Sequence, residues 1–351
     1  MATWRRRKAS DITVMWADFG QGKTHSLLHL MDGVSSEPRD VTIHYVQLPP
    51  LTTGSPFVAL YRQIMYGFPL DELGARVFTH YQKSPLSLFT DSVRDRTVVQ
   101  LLWVIGTSSP GKEAATRWLR AEPVTRSALS ALSIGGKALV LPPPPKTAQE
   151  CQNTLDALLR IATDFPSPLV GEVILLVDEF QRIGELSPKK RVEVCDALHL
   201  IFNSHPQGLR LVLAFAGGLP EIVEHVLTAD LQSRVSSRLN LPPMSVAEGR
   251  DYFDALIAAY GHRAVSAEPG DRGAYSAEAV RLILDLAEPS GYNLSPRKIN
   301  IAADILTNEV LNERGLDGLD PDAPISADEV RAAAERARLE LTGSLHGDNV
   351  S

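Results

Sequence analysis

Between residues 17 and 24 the chain reads Ala17-Asp18-Phe19-Gly20-Gln21-Gly22-Lys23-Thr24. Two glycines, a lysine and a hydroxyl in this order suit one chemistry, the cradling of phosphate. Gly20 and Gly22 let the backbone curl so that successive N–H groups converge on an anion. Lys23 is long enough to reach the terminal phosphates of a nucleoside triphosphate, and the Thr24 hydroxyl is a hard oxygen donor suited to Mg2+. The expected nucleotide-binding stretch runs through Asp18, Phe19, Gly20, Gln21, Gly22, Lys23, Thr24 and His25. One departure is visible: Ala17, the smallest substitute, stands where the pattern G-x-x-x-x-G-K-[ST] has its first glycine.

A second group lies far downstream. Val173-Ile174-Leu175-Leu176-Val177 is a run of aliphatic residues that ends in Asp178-Glu179. Such a run reads as a strand buried on both faces. Two carboxylates at its end divide a labour: Asp178 would hold Mg2+, and Glu179 would orient and polarise the water that attacks a γ-phosphate. Taken alone, the pair is also what an acidic strand end would look like; with the glycine loop upstream it reads as the Walker B pattern. Gly106 to Lys112 also satisfies G-x-x-x-x-G-K, but Glu113 follows in place of a hydroxyl and would face the phosphates with a negative charge. The residues before it look helical, so Ala17–Thr24 is taken as the phosphate loop.

These residues need elements to hold them. Ile12–Trp16 is expected as a strand before the loop, and His25–Met31 as the helix after it, whose positive end faces the anion. Val41–Val46 is expected as the second strand. Helical spacing then appears at Phe57–Met65, Leu70–Tyr81, Thr97–Ile105, Ala114–Glu122, Arg126–Leu132 and, after the Pro142–Pro145 run, Ala148–Phe165. An insertion of about 100 residues thus separates the second strand from the acidic one. Beyond it come a helix over 190–203, a buried strand at Leu209–Phe215, a helix at Glu221–Ala229 and a short strand at Leu239–Leu241. Past residue 245 only helices are expected, at 246–260, 276–288, 296–313 and 326–342, with Ser326 and Glu329 as a capping box for the last. The expected class is α/β: a three-layer P-loop NTPase domain with a parallel sheet over residues 1–245, carrying a helical insertion at about 51–150. A small all-helical lid (246–315) and a C-terminal helix and tail (316–351) follow.

Bulk properties exclude several classes. The 351 residues are 44% hydrophobic and 22% charged, with net charge −7, so no global basic field favours nucleic acid. Trp4-Arg5-Arg6-Arg7-Lys8 is a local basic cluster, read as a solvated tail. Cys151 and Cys195 make neither a disulfide framework nor a zinc cluster. The absence of about 18 uninterrupted apolar residues, and of a signal-peptide core, leads to the expectation of a cytoplasmic protein without a membrane partner.

With both phosphate-loop and Walker B residues in place, the sequence resembles the AAA+ ATPases, on their clamp-loader and origin-recognition side. Leu231-Gln232-Ser233-Arg234 is similar to the Ser-Arg box of clamp-loader subunits, which implies that Arg234 is a finger reaching the γ-phosphate held by a neighbouring subunit; Arg238 is the competing candidate. Ser295-Pro296-Arg297-Lys298-Ile299-Asn300 is similar to the sensor 2 helix, which implies that Arg297 folds over bound nucleotide. The catalytic set would then be Glu179, Lys23, Arg234 and Arg297, with Thr24 and Asp178 on the metal and ATP and Mg2+ as cofactors. Two departures stand out. The strand end Ala214-Phe215-Ala216-Gly217-Gly218 has no polar side chain at the sensor 1 position, and the residues after the lid are too few for a winged helix. Gln47 is the candidate for the polar residue that gates the glutamate in some relatives. A Gly-Lys-Thr-His loop end, a long helical insertion and Trp118-Leu119-Arg120-Ala121-Glu122 also look like the ATP-binding proteins of BREX-type phage-defence operons. The resemblance implies a homo- or hetero-oligomer, as ring or filament, that hydrolyses ATP to assemble on or remodel DNA or a DNA-bound protein. The alternative is an ATP-gated switch with little turnover, which the empty sensor 1 position favours.

Overall fold

The computed structural model describes residues 9–35, 41–49, 54–87, 95–107, 111–164, 171–217, 219–259, 274–289, 293–315, 319–320, 323–338, 341 and 344–345. The basic cluster at residues 4–8 and Gly218 lie outside the described residues. The described residues form two compact units, one drawn from Met1–Trp16 and Thr24–Leu239, the other from Ala17–Lys23 and Asn240–Ser351.

The first unit is built on a parallel five-stranded sheet: β1 (Asp11–Ala17), β2 (Val41–Gln47), β5 (Glu172–Asp178), β6 (Leu209–Ala216) and β7 (Val235–Asn240), in the order β2-β5-β6-β1-β7. Both β2 and β6 run parallel to β5. Placing β5 and β6 inside the sheet explains their composition. Every residue of β6 is buried, as are six of the seven in β5, so neither strand can alternate polar with apolar. Register then does the positioning: Gln47 pairs with Asp178, and Tyr45 with Leu176, so the ends of β2 and β5 lie side by side.

The insertion packs its helices Pro56–Gly67, Leu70–Tyr81, Arg96–Gly106, Lys112–Leu119 and Arg126–Ser130 into the same apolar core as the sheet. It ends in a two-stranded antiparallel hairpin, β3 (Ser133–Ile134) and β4 (Lys137–Ala138), too short to give a sequence signal. The Gly106 motif is a packing device. A Cβ on Gly106 would lie 2.1 Å from the Gly74 carbonyl oxygen, so these two glycines let two helices cross at close range. Lys112 pairs with Asp71 at 2.8 Å. Residues 108–110 lie outside the described residues.

Among the element boundaries that differ from expectation, three have a visible cause. The helix expected over Ala114–Glu122 stops at Leu119, because Ala121 adopts φ 55° and Glu122 bonds back to the Arg117 carbonyl. The helix expected over Glu221–Ala229 ends at Val226, where Leu227 turns extended, and a short helix follows at Ala229–Gln232. The last strand begins at Val235 rather than Leu239. Its exposed edge position gives Ser236 and Arg238 no apolar signature.

The second unit is helical: Val246–Ala259, Ala277–Ala287, Pro296–Arg314 and Ala327–Arg336 enclose Phe253, Tyr275, Ile283, Ile299, Leu306 and Val330. Three of its helices start on serine caps, Ser276, Ser295 and Ser326. The Ser326 cap is a full capping box with Glu329, whose carboxylate also binds Arg314 at 2.7 Å.

Candidate nucleotide site

The loop Ala17–Lys23 is shaped by its glycines. Gly20 and Gly22 adopt φ 79° and 89°, in the left-handed region that side chains disfavour. Gly20 is also needed for room. A Cβ there would lie 2.6 Å from the Arg297 Cβ, and the Arg297 N–H donates to the Gly20 carbonyl at 3.4 Å. Arg297, named from sequence, therefore lies against the loop. Next to it, the Gln21 Nε2 donates to Asn293 Oδ1 at 3.0 Å. Lys23 is buried and donates to the carbonyls of Ala17 at 2.8 Å and Asp18 at 2.7 Å. Its ammonium also stands 5.8 Å from the centroid of the exposed Phe19 ring. Asp18 is half-buried and His25 exposed.

Thr24 lies in the first turn of the helix Lys23–Ser35, and its hydroxyl donates to Asp178 Oδ2 at 2.5 Å across 154 residues of sequence. Asp178 is fully buried. Its Oδ2 also accepts from the Tyr45 hydroxyl at 3.0 Å, and its Oδ1 from the Glu179 N–H at 2.8 Å. Burial first, and the Asp178 charge next, push the Tyr45 hydroxyl far above its ordinary value, so it stays protonated as a donor. A buried carboxylate beside a hydroxyl is an oxygen-only set. Among the described residues there is no cluster of three or more His, Cys, Asp or Glu that could hold a metal. The Thr24 and Asp178 oxygens are of the chemistry that would suit Mg2+, which takes one or two carboxylates and fills its octahedron with phosphate and water.

Glu179 adopts φ 60°, one of three non-glycine residues in the left-handed region among those described. Its Oε2 accepts from Gln181 Nε2 at 2.9 Å and faces Arg182 at 3.3 Å. Arg182 also donates to the Leu48 carbonyl at 2.5 Å. The following Phe180 ring packs edge-on against Phe215 of β6, centroids 5.5 Å apart. The β2 side chain that touches Asp178 is Tyr45; Gln47 is exposed. Arg234 and Arg238 are both exposed, Arg234 just before β7 and Arg238 within it. Neither guanidinium has a hydrogen bond or ion pair among the described residues. Tyr45, Gln181, Arg182 and Asn293 escaped the sequence reading. A two-residue period along β2 could have marked Tyr45 as sharing a face with Gln47; nothing local marks the others.

No family model matches the chain, and no curated protein is significantly similar to it in sequence. Solved structures are similar in fold. The Aeropyrum pernix ORC2 protein, in ADPNP–ADP complexes, superposes with TM-score 0.50 at 12% identity, over 93% of this chain and 62% of that one. The Aeropyrum pernix ORC1 protein in complex with DNA gives 0.45 at 16%, over 96% and 61%. The Thermotoga maritima RuvB Holliday junction branch migration motor gives 0.43 at 14%, over 97% and 66%. The chain spans less than two thirds of the length of each. The sheet order, the glycine loop after β1 and the ORC2 superposition define the class: the chain has the AAA+ P-loop NTPase fold.

Proposed function

We propose that this chain is an AAA+ ATPase that binds ATP with Mg2+ and hydrolyses it to assemble on, or remodel, DNA or a DNA-bound partner. The observation that carries the reading is the Thr24–Asp178 hydrogen bond, which joins the end of the glycine loop to the end of β5. In this reading the loop N–H groups from Asp18 to His25 hold the phosphates. Lys23 exchanges its loop carbonyls for phosphate oxygens, and Thr24 and Asp178 take Mg2+. The metal would neutralise charge on the transferred phosphoryl group. Glu179 aligns the attacking water and accepts its proton. Arg297, which lies against Gly20, contacts nucleotide, and Arg234 comes from a neighbouring subunit. We take residues 1–245, 246–315 and 316–351 as the functional divisions, and the insertion as the partner surface. Residence in the cytoplasm and service in a phage-defence operon are parts of the same proposal. Among the described residues no helix is long and apolar enough to cross a membrane.

A second reading, an ATP-gated switch with little turnover, is favoured by the strand end Ala214-Phe215-Ala216, which offers no polar side chain to the water. Two variants separate the readings. Lys23→Ala should lower ATP affinity by at least about tenfold, and Glu179→Gln should retain affinity while turnover falls about 100-fold or more. Unchanged binding in Lys23→Ala removes the site altogether. Negligible wild-type turnover, unaltered by Glu179→Gln, leaves the switch.

A further inference from the structure

Glu179 is held by neighbours that the chemistry above leaves unused. Gln181, two residues on in the 3-10 turn Phe180–Glu185, is bonded at both ends of its amide. Nε2 donates to Glu179 Oε2 at 2.9 Å, and Oε1 accepts from the Ala216 N–H at 2.8 Å. The orientation of that amide follows from chemistry: a backbone N–H only donates and a carboxylate only accepts, so the oxygen faces Ala216 and the nitrogen faces Glu179. Arg182 stands 3.3 Å from the same Oε2 and donates to the Leu48 carbonyl, and the Leu48 N–H donates to the Asp178 carbonyl at 3.1 Å. One carboxylate oxygen is thereby referenced to the ends of β2, β5 and β6. The Gln181 hydrogen bond and the Arg182 ion pair both fall on Oε2, which leaves Oε1 as the oxygen through which Glu179 can take a proton from water. Ala214, Phe215 and Ala216 cannot contribute a side chain to this task, but the Ala216 backbone does, through Gln181.

We propose that Gln181 is the positioning residue for Glu179, transmitting the alignment of the β6 backbone to the carboxylate. The proposal rests on the reading of Glu179 as the residue that polarises the attacking water. A group misplaced by about 1 Å can cost on the order of 100-fold in rate, so a fixed carboxylate matters.

The test compares Gln181→Met, which keeps length and loses both hydrogen bonds, with Gln181→Glu, which keeps the acceptor for Ala216 and loses the donor to Glu179. Steady-state ATPase rates, binding of a non-hydrolysable ATP analogue and thermal melting are measured on the full chain. Glu179→Gln and the double variant with Gln181→Met are included. Expected is a kcat loss of about 10- to 100-fold in both Gln181 variants. KM and analogue affinity should stay within about twofold, and Gln181→Met should cost nothing further in the Glu179→Gln background. Near wild-type kcat in Gln181→Met, with turnover abolished in Glu179→Gln, overturns the role of Gln181 and leaves that of Glu179. Loss of analogue affinity together with a lowered melting temperature in both Gln181 variants makes Gln181 a packing residue and also overturns the proposal. If Glu179→Gln changes nothing, the water-polarising role of Glu179 fails and the proposal falls with it.

Discussion

Gly20 carries two constraints at once. Its φ of 79° disfavours any side chain, and a Cβ would meet the Arg297 Cβ at 2.6 Å. Left-handed backbone costs an L-residue about 1–2 kcal/mol before any clash is counted. Gly20→Ala should therefore lower ATP affinity by at least about tenfold and also reduce the melting temperature of the unliganded chain. Nucleotide titration and thermal melting check it; unaltered affinity with an unaltered melt would show that the loop relaxes. At this scale much of the candidate site was legible. Gly20, Lys23, Thr24 and the Asp178-Glu179 pair are recognisable because phosphate and metal chemistry need those residue types at fixed spacing. Gln181 and Tyr45 were not legible. Their contacts come from where β6 and β2 lie beside β5, and sheet register leaves no mark near the residues it brings together.

Among the elements, one side-chain knot ties the helices Ala148–Asp164 and Pro188–Ser204. Asp156 accepts from Ser204 Oγ at 2.5 Å and His205 Nε2 at 3.0 Å, and pairs with Arg160, which reaches Asp95 at 3.0 Å. Burial alone would raise the Asp156 carboxyl; His205, Ser204 and Arg160 outweigh it and hold it at about 2. A folded value below the ordinary one means that the stabilisation is complete above the ordinary carboxylate range and is lost as pH falls toward 2. Its size is on the order of 2 kcal/mol. Asp156→Asn should melt several degrees below wild type at pH 7, and the gap should close between about pH 5 and pH 2. A gap that does not change with pH would assign the effect to shape rather than charge. Long amphipathic elements were legible, and Leu70–Tyr81 was read to the residue. Their ends were less so. Ala121 stops a helix by a backbone angle that nothing about alanine announces. The Gly106 pattern shows the converse: a sequence that spells a phosphate loop is used here to bring two helices together.

At the scale of the whole molecule, the expected finger is exposed. Arg234 has no side-chain partner among the described residues. Lys23→Ala and Arg234→Ala should each be nearly inactive alone. Mixed, they should regain turnover, because a site with an intact Lys23 can then receive an intact Arg234 from the other variant. Mass measurements with and without ATP accompany the assay; no recovery and a monomer in every condition would exclude the trans arrangement. The left-handed backbone of Glu179 has a consequence for how this protein tolerates change. Glycine or asparagine would occupy that position with less strain. A selection for heat resistance alone would therefore be drawn toward residues that lack the carboxylate, and stabilised descendants of this chain would tend to be those without the group on which the proposed turnover depends.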